Sequence, residues 1–293
     1  MKAFVFPGQG SQFPGMGYDL YKSNEKVKSL FNEADDVLGF TLSNVMFNGN
    51  EEELKQTKIT QPAIFLHSIA KLCILQETHS PSAVAGHSLG EFSSLVANNT
   101  ISFEDGLKLV FLRSKAMQKS CESSNGIMAA ILGLDDKTIK ETCESFDGNV
   151  TAANFNCPGQ VVISGELNAV KKICEKFNKI GARRSILLPV GGAFHSNLMN
   201  DAKSELKEAI HKTKFNNPSC PIYQNFTAQK TTNIDIIKEN LINQLTAPVL
   251  WTQTINNMVD DGYLDYIEVG PGKVLQGLIR KINRETTTQS VLS

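Results

Sequence analysis

The pentapeptide Gly86-His87-Ser88-Leu89-Gly90 constrains the fold of this chain more than any other feature. It matches the pattern G-x-S-x-G, follows the apolar run 83–85 and precedes a stretch, 91–97, that can form a helix. A strand, a sharp turn and a helix are the context in which this pattern presents a nucleophilic serine on an α/β-hydrolase-like parallel sheet. Free N–H groups at the helix start would be available to stabilise an oxyanion. The alternative is an ordinary strand-to-helix turn in which small residues allow close packing.

Composition narrows the classes of partner. The 293 residues can form one large core, or a core and a small second domain. The formal net charge is -1, so the chain lacks the basic excess that nucleic acids or anionic membranes require. The most apolar helical stretch, 63–75, is interrupted by His67 and Lys71, and the N-terminal apolar run stops at Pro7. We therefore expect a cytoplasmic protein with no membrane or nucleic-acid partner. A monomer is expected, although no pattern in the sequence determines the oligomeric state.

The six cysteines are scattered along the chain, without a C-x-x-C pair or a histidine at metal-ligand spacing. Such a distribution favours reduced, mostly buried thiols and predicts no metal site. None of the cysteines is a candidate nucleophile.

The order of predicted elements indicates an insertion. A strand at residues 2–6 runs into a glycine-rich loop, and a later helix is predicted to begin at Gln61 with Pro62 as its second residue. Residues 126–190 read as strand, helix, strand, strand, helix, strand, which is the ferredoxin-like order. The sequence thus predicts a ferredoxin-like domain, 126–190, inserted into an α/β-hydrolase-like domain made of 1–125 and 191–293. The final strand is predicted at 266–269.

A nucleophilic serine needs a base, and His195 is the best placed of the five histidines. It follows a predicted strand directly and lies beside the predicted domain junction, where clefts form. It also follows Ser88 in the chain, as the base does in α/β-hydrolases. No carboxylate is conspicuous as a third member. A backbone carbonyl can orient an imidazole equally well, so we expect a Ser-His dyad.

Arg113 is set apart from the other cations of its predicted helix. Lys108, Lys115 and Lys119 cluster on one side, whereas Arg113 lies beside apolar residues. A guanidinium in this position is either a structural ion pair or a bidentate clamp for a substrate carboxylate. The position of Arg113 in the sequence is compatible with both the ion pair and the carboxylate clamp.

Several blocks of the chain, in the right order, are similar to one family. They are Phe6-Pro7-Gly8-Gln9-Gly10-Ser11-Gln12, Gln61-Pro62-Ala63, Gly86-His87-Ser88-Leu89-Gly90-Glu91-Phe92, Arg113, Asn156-Cys157-Pro158-Gly159-Gln160, Pro189-Val190-Gly191-Gly192-Ala193-Phe194-His195-Ser196, Pro248-Val249-Leu250-Trp251 and Glu268-Val269-Gly270-Pro271-Gly272. Through these blocks the chain resembles the malonyl-CoA:acyl-carrier-protein transacylases of type II fatty-acid synthesis. The resemblance covers nearly the whole chain.

The resemblance implies a role for each candidate residue. Ser88 would carry the malonyl group and His195 would act as base and acid, oriented by the main-chain carbonyl of Gln244. The backbone N–H groups of Gln9 and Leu89 would form the oxyanion hole. Arg113 would bind the malonyl carboxylate, and Gln61 would line the same cleft.

The resemblance also implies the substrates and the reaction. Malonyl-CoA and acyl carrier protein would be the substrates of a two-step exchange that needs no metal or redox cofactor. Two other classes remain open at this stage, a serine thioesterase or esterase on the same fold and a non-catalytic scaffold.

Overall fold

The computed structural model describes residues 1–291 and contains two β-sheets with helices packed around them. The strands are β1 (Lys2–Phe6), β2 (Ala83–Gly86), β3 (Gly126–Leu132), β4 (Val150–Cys157), β5 (Gln160–Glu166), β6 (Arg184–Leu187), β7 (Ile222–Tyr223), β8 (Lys230–Thr231), β9 (Asp265–Glu268) and β10 (Thr287–Ser290). The helices are α1 (Tyr18–Ser23), α2 (Glu25–Leu38), α3 (Leu42–Asn48), α4 (Glu51–Lys55), α5 (Thr57–Leu75), α6 (Gly90–Ala97), α7 (Phe103–Ser123), α8 (Asp136–Glu144), α9 (Leu167–Lys179), α10 (Asn200–Lys212), α11 (Ile234–Gln244), α12 (Trp251–Asp260) and α13 (Val274–Ile282), with a 3-10 turn at Asn197–Met199.

The larger sheet has the strand order β10-β9-β1-β2-β7-β8. Its first five strands are parallel, and β8 pairs with β7 in the antiparallel sense. The central strands β1 and β2 are short runs of buried apolar residues because the sheet is covered on both faces. The predicted parallel sheet is therefore confirmed, and Ser88 directly follows the carboxyl end of its strand β2.

The smaller sheet is antiparallel, with the order β4-β5-β3-β6. Alternate residues of its central strands point to opposite faces. Ala129 and Ile131 of β3 belong to a core that α8 and α9 cover, whereas Met128 of the same strand joins the large core on the other side. This second face of the smaller sheet is turned toward the rest of the protein and forms one wall of the cavity described below.

Helix α5 begins at Thr57, four residues before the predicted start at Gln61, so Pro62 lies inside the helix. A proline inside a helix removes one N–H and leaves the carbonyl four residues earlier without its usual donor. That carbonyl belongs to Lys58, and the Ser114 hydroxyl of α7 lies 3.5 Å from it but donates its proton to the Phe111 carbonyl at 2.7 Å. The helix nevertheless continues through Pro62, and the prediction that it begins at Gln61 was wrong.

The final strand is β10, whereas the sequence predicts that the last strand is 266–269. Strand β10 has the polar sequence Thr-Thr-Gln-Ser and pairs only with β9 at the edge of the sheet. An edge strand needs no continuous apolar run. Neither hydrophobicity nor alternation of apolar and polar residues therefore predicts this strand from the sequence. The short strands β7 and β8 were missed for a related reason, since two residues carry no periodic signal.

No helix within residues 1–291 combines the length and the apolar character that crossing a membrane would require.

Candidate active site

Ser88 lies in the tight connection between β2 and α6, with a φ of 51°. Non-glycine residues rarely adopt this left-handed conformation, and its cost is borne where the surrounding structure enforces it. The two flanking positions require glycine because other backbone atoms lie too close to leave room for a Cβ. A Cβ at Gly86 would lie 1.9 Å from the carbonyl carbon of Gly90, and a Cβ at Gly90 would lie 2.1 Å from the Phe6 oxygen. The glycine pattern is therefore what allows the chain to turn this sharply against β1.

His195 reaches Ser88 from the segment that follows β6. Its Nε2 lies 2.8 Å from Ser88 Oγ, and its Nδ1 lies 2.9 Å from the main-chain oxygen of Gln244. Because a carbonyl oxygen can only accept, Nδ1 carries the proton and Nε2 is free to accept the serine hydroxyl proton. Burial, with a smaller contribution from Arg113, lowers the pKa of His195 to about 3. The imidazole is neutral at neutral pH, the state that a general base requires.

Arg113 is fully buried. Its Nη1 donates to Gln61 Oε1 at 2.7 Å, and its Nη2 donates to Ser88 Oγ at 3.0 Å and to Gln244 Oε1 at 3.2 Å. Within residues 1–291 no carboxylate lies within 4.0 Å of the guanidinium. The structural ion pair considered from the sequence is therefore not formed.

Gln9 and Leu89 border the same space. Both residues line the cavity, and within the described part of the chain neither N–H donates to a protein acceptor. The Ser88 carbonyl accepts from Gln244 Nε2 at 3.0 Å. In a trans peptide the C=O and the following N–H point in opposite directions, so this bond directs the Leu89 N–H away from Gln244.

These groups meet in a cavity of about 560 Å³. The cavity lies between the two sheets, with Met128 and Val162 from the smaller sheet opposite the residues of the Ser88 turn. Six of the residues singled out from the sequence line it, and Gln244 lies behind His195. The six are Gln9, Gln61, Ser88, Leu89, Arg113 and His195. The tertiary structure thus brings all the candidate residues together.

The other histidine rings make no hydrogen bond to Ser88 Oγ within the described residues. The ring of His87 lies in the same cavity wall, but its Nε2 pairs with Asn156 Oδ1 at 2.8 Å and its face packs near Trp251. His67 is buried in α5, as expected for a core histidine, and His211 is exposed on α10. Of the five, only His195 is placed to accept the proton of Ser88.

Two residues of the site were missed from the sequence, Asn225 and Glu91. The Asn225 side chain accepts the Ser88 N–H at 2.6 Å and donates to the Gly86 carbonyl at 2.7 Å, so it holds both sides of the turn. The Asn225 N–H in turn donates to the buried Glu91 carboxyl group. Burial raises the pKa of Glu91 to about 8. No local pattern could have revealed Asn225, which lies 137 residues from Ser88.

The thiols and carboxylates do not form a further reactive cluster. Within residues 1–291 no group of three or more His, Cys, Asp or Glu side chains is arranged to hold a metal ion. The six cysteines are free, and burial raises the pKa of Cys121 to about 12. A thiol held in its neutral form is a poor nucleophile.

The buried histidines make the protein sensitive to acid. Burial lowers the pKa of His67 to about 3, well below the value of 6.5 for an exposed imidazole. A group with a lowered folded pKa contributes stability above pH 6.5, and this contribution is lost as the pH falls toward 3. When the pH falls from 7 to 5, the free energy of unfolding of the wild type should decrease by about 2 kcal/mol more than that of His67→Leu. Denaturant titrations at the two pH values measure the difference, and equal losses would contradict a neutral, buried His67.

Comparisons with known proteins show the family of the chain. The acyl transferase domain family matches residues 3–292, and the chain belongs to this family. It is 44% identical over 293 residues to the malonyl CoA-acyl carrier protein transacylase of Bacillus subtilis (strain 168), covering 99% of this chain and 92% of the relative. An acyl carrier protein S-malonyltransferase structure from Vibrio cholerae O1 superposes with a TM-score of 0.95 at 40% identity, covering 99% and 96% of the two chains.

A third relative was solved together with its partner. It is a malonyl-transacylase in complex with a type II PKS acyl-carrier protein, with a TM-score of 0.94 and 38% identity. The match covers 99% of this chain and 94% of that one.

Proposed function

We propose that this protein transfers the malonyl group from malonyl-CoA to the phosphopantetheine thiol of acyl carrier protein, and so supplies malonyl units for fatty-acid elongation. The observation that carries the proposal is the position of Ser88 Oγ, 2.8 Å from a neutral imidazole nitrogen and 3.0 Å from a buried guanidinium with no carboxylate partner among residues 1–291. A base beside the nucleophile supports acyl transfer, and a free cation in the same cavity supports an acyl group that carries a carboxylate.

The first half-reaction acylates Ser88. His195 Nε2 takes the hydroxyl proton while Oγ attacks the thioester carbonyl carbon of malonyl-CoA. The oxyanion that forms would accept hydrogen bonds from the N–H groups of Gln9 and Leu89, which have no acceptor within the described chain. When the intermediate collapses, the C–S bond breaks and His195 returns its proton to the CoA sulfur. The products are malonyl-Ser88 and CoA.

The second half-reaction repeats these steps with another thiol. The phosphopantetheine thiol of the carrier protein gives its proton to His195, and its sulfur attacks the ester carbonyl. The bond from that carbon to Ser88 Oγ then breaks and His195 returns the proton to Oγ, which leaves malonyl carrier protein and free Ser88. Both donor and acceptor present the same phosphopantetheine arm, so one cavity serves both. The exchange is redox-neutral and moves only an acyl group and a proton, so the proposal includes no metal or redox cofactor.

Arg113 would select the acyl group. Its Nη2 donates to Ser88 Oγ, and its Nε has no partner within the described residues. A malonyl carboxylate in the cavity would receive two N–H donors in the fork geometry that guanidinium offers. Gln61, which holds Nη1 at 2.7 Å, would line the pocket for this carboxylate.

We infer a two-part organisation around this site. Residues 126–190 would form a ferredoxin-like subdomain, supported by the antiparallel order β4-β5-β3-β6 and by the two helices on one face. Residues 1–125 and 191–293, of which the last two lie outside the described residues, would form an α/β-hydrolase-like body. Within it the Ser88 turn would be the nucleophile elbow, supported by the positive φ and the two close-packed glycines. We expect the protein to act in the cytoplasm as a monomer, without nucleic-acid or membrane partners.

Intact-protein mass spectrometry tests the proposed function. After brief mixing with malonyl-CoA we expect one malonyl adduct, which disappears when holo acyl carrier protein is added while the carrier protein gains the same mass. Release of free malonate as fast as transfer would instead assign the chain to the serine thioesterases or esterases. A chain that never acquires the adduct would be a scaffold rather than an enzyme.

A further inference from the structure

Gln244 is the last residue of α11 and is buried, and three separate parts of the site depend on it. Its main-chain oxygen accepts from His195 Nδ1. Its side-chain Oε1 accepts from Arg113 Nη2 at 3.2 Å, and its side-chain Nε2 donates to the Ser88 carbonyl at 3.0 Å. Any residue would supply the main-chain oxygen, but only a side chain with both an acceptor and a donor makes the other two bonds.

The cradle of Arg113 is electrically neutral. Its three hydrogen-bond acceptors are the amide oxygens of Gln61 and Gln244 and the hydroxyl of Ser88. Glu91 is the acidic group whose charge acts on Arg113, and burial raises the pKa of its carboxyl group to about 8, which favours the neutral form. A charge taken out of water without a counter-ion is costly, and a carboxylate supplied by the substrate would relieve that cost.

The donor end of the same amide acts on the Ser88 peptide. By holding the Ser88 carbonyl, Gln244 Nε2 sets the plane of the peptide whose N–H belongs to Leu89. That N–H therefore points to the opposite side, where an oxyanion on the acylated carbonyl would form. One buried amide thus orients a cation through one atom and an N–H donor through another.

We propose that the side chain of Gln244 is a positioning and specificity-determining residue for the carboxylated acyl group. It holds the Arg113 guanidinium with a neutral acceptor, which leaves the positive charge free for the substrate, and it aims the Leu89 N–H by binding the Ser88 carbonyl. This inference rests on the proposed function and deepens it, because it assigns acyl selectivity to a residue whose backbone alone was implicated.

Gln244→Glu is the sharpest test because it keeps the size of the side chain and its acceptor, replaces the Nε2 donor by an oxygen and adds a negative charge. The new carboxylate would pair with Arg113 and compete with the malonyl carboxylate. We expect the kcat/KM for acylation by malonyl-CoA to fall on the order of 100-fold or more beyond any loss shared with acetyl-CoA, the range for losing a desolvated charge pair. Acylation by acetyl-CoA should fall less, because it loses only the Nε2 bond that aims the Leu89 N–H and needs no cation to bind the acetyl group. The malonyl-to-acetyl ratio is the readout.

Two further variants separate charge from structure. Gln244→Met removes both side-chain bonds without adding charge, and we expect it to lower malonyl acylation by roughly 10- to 100-fold. Asn243→Asp adds the same charge one residue earlier on α11, where the side chain faces Lys203 and Glu239, and it should keep the wild-type ratio. All variants keep the main-chain oxygen at 244, so the pH profile governed by His195 should not move in Gln244→Met or Asn243→Asp, whereas the new carboxylate of Gln244→Glu would offset the effect of Arg113 on the pKa of His195.

The inference is overturned if Gln244→Glu keeps the wild-type malonyl-to-acetyl ratio. It is also overturned if Gln244→Glu and Gln244→Met lose both acyl groups equally and the uncharged Gln244→Met shifts the pH profile, because that result assigns Gln244 a purely structural role. Wild-type protein measured in parallel keeps the two proposals distinct. If the wild type is not malonylated, the proposed function is wrong. If the wild type is malonylated and Gln244→Glu has the same malonyl-to-acetyl ratio, only this inference is wrong.

Discussion

Ser88→Ala is expected to eliminate the malonyl-enzyme adduct and to lower transfer to the carrier protein on the order of 10⁴-fold or more. The physical reason is that Ser88 Oγ is the atom hydrogen-bonded to both His195 and Arg113, and alanine has no nucleophilic atom in its place. Intact mass after mixing with malonyl-CoA gives the adduct, and a carrier-protein transfer assay gives the rate.

Ser93→Ala is the matched control for this experiment. Ser93 lies on the same helix, α6, and its buried hydroxyl has no hydrogen-bond partner within the described residues. Its removal leaves no partner unsatisfied, so stability and transfer should stay close to wild type. A Ser88→Ala enzyme that still forms the adduct at the normal rate would place the nucleophile elsewhere.

Arg113→Ala should weaken malonyl transfer by about 2 to 5 kcal/mol, the usual cost of removing one partner of a desolvated charge pair. Acetyl transfer should suffer much less, because an acetyl group has no carboxylate to pair with the guanidinium. Arg113→Lys should give an intermediate result, since an ammonium keeps the charge but cannot reproduce the planar fork. Acylation rates with malonyl-CoA and acetyl-CoA measure the difference.

The control for Arg113 is Lys115→Ala on the same helix, where the lysine is exposed and stacks over Phe111. It should leave both acylation rates unchanged. Because Arg113→Ala also strips a donor from the buried amides of Gln61 and Gln244, thermal unfolding of each variant must be followed alongside. Equal losses for malonyl and acetyl transfer would show that the arginine is structural and would remove the basis for malonyl selection.

The nucleophile candidate could be predicted from the sequence because its geometry is local. A left-handed serine between two glycines, after a buried strand and before a helix, is a property of about ten consecutive residues. His195 could be selected among five histidines because it follows a strand next to a predicted junction. Gln9, Leu89 and the carbonyl of Gln244 came from resemblance to a family, since a backbone N–H or C=O leaves no mark in a side-chain pattern.

Arg113 shows where position on a helix stops being informative. Its place beside apolar residues allowed either an ion pair or a substrate clamp, and the difference depends on which side chains arrive from α5 and α11. The structure supplies two amide oxygens and no carboxylate within 4.0 Å among residues 1–291. The acyl preference proposed here follows from that neutral surrounding, which is a property of packing.

The sequence by itself determined the α/β class, the sharp turn at Ser88 and the choice of His195, because each depends on periodicity or on conformations that only particular residues tolerate. Only the tertiary structure decided which distant groups hold those residues, namely Asn225 and Glu91 behind the turn and the Gln244 side chain between Arg113 and the Ser88 carbonyl. Hydrogen bonds between segments more than a hundred residues apart depend on how elements pack, and packing is set by the whole core rather than by any local pattern.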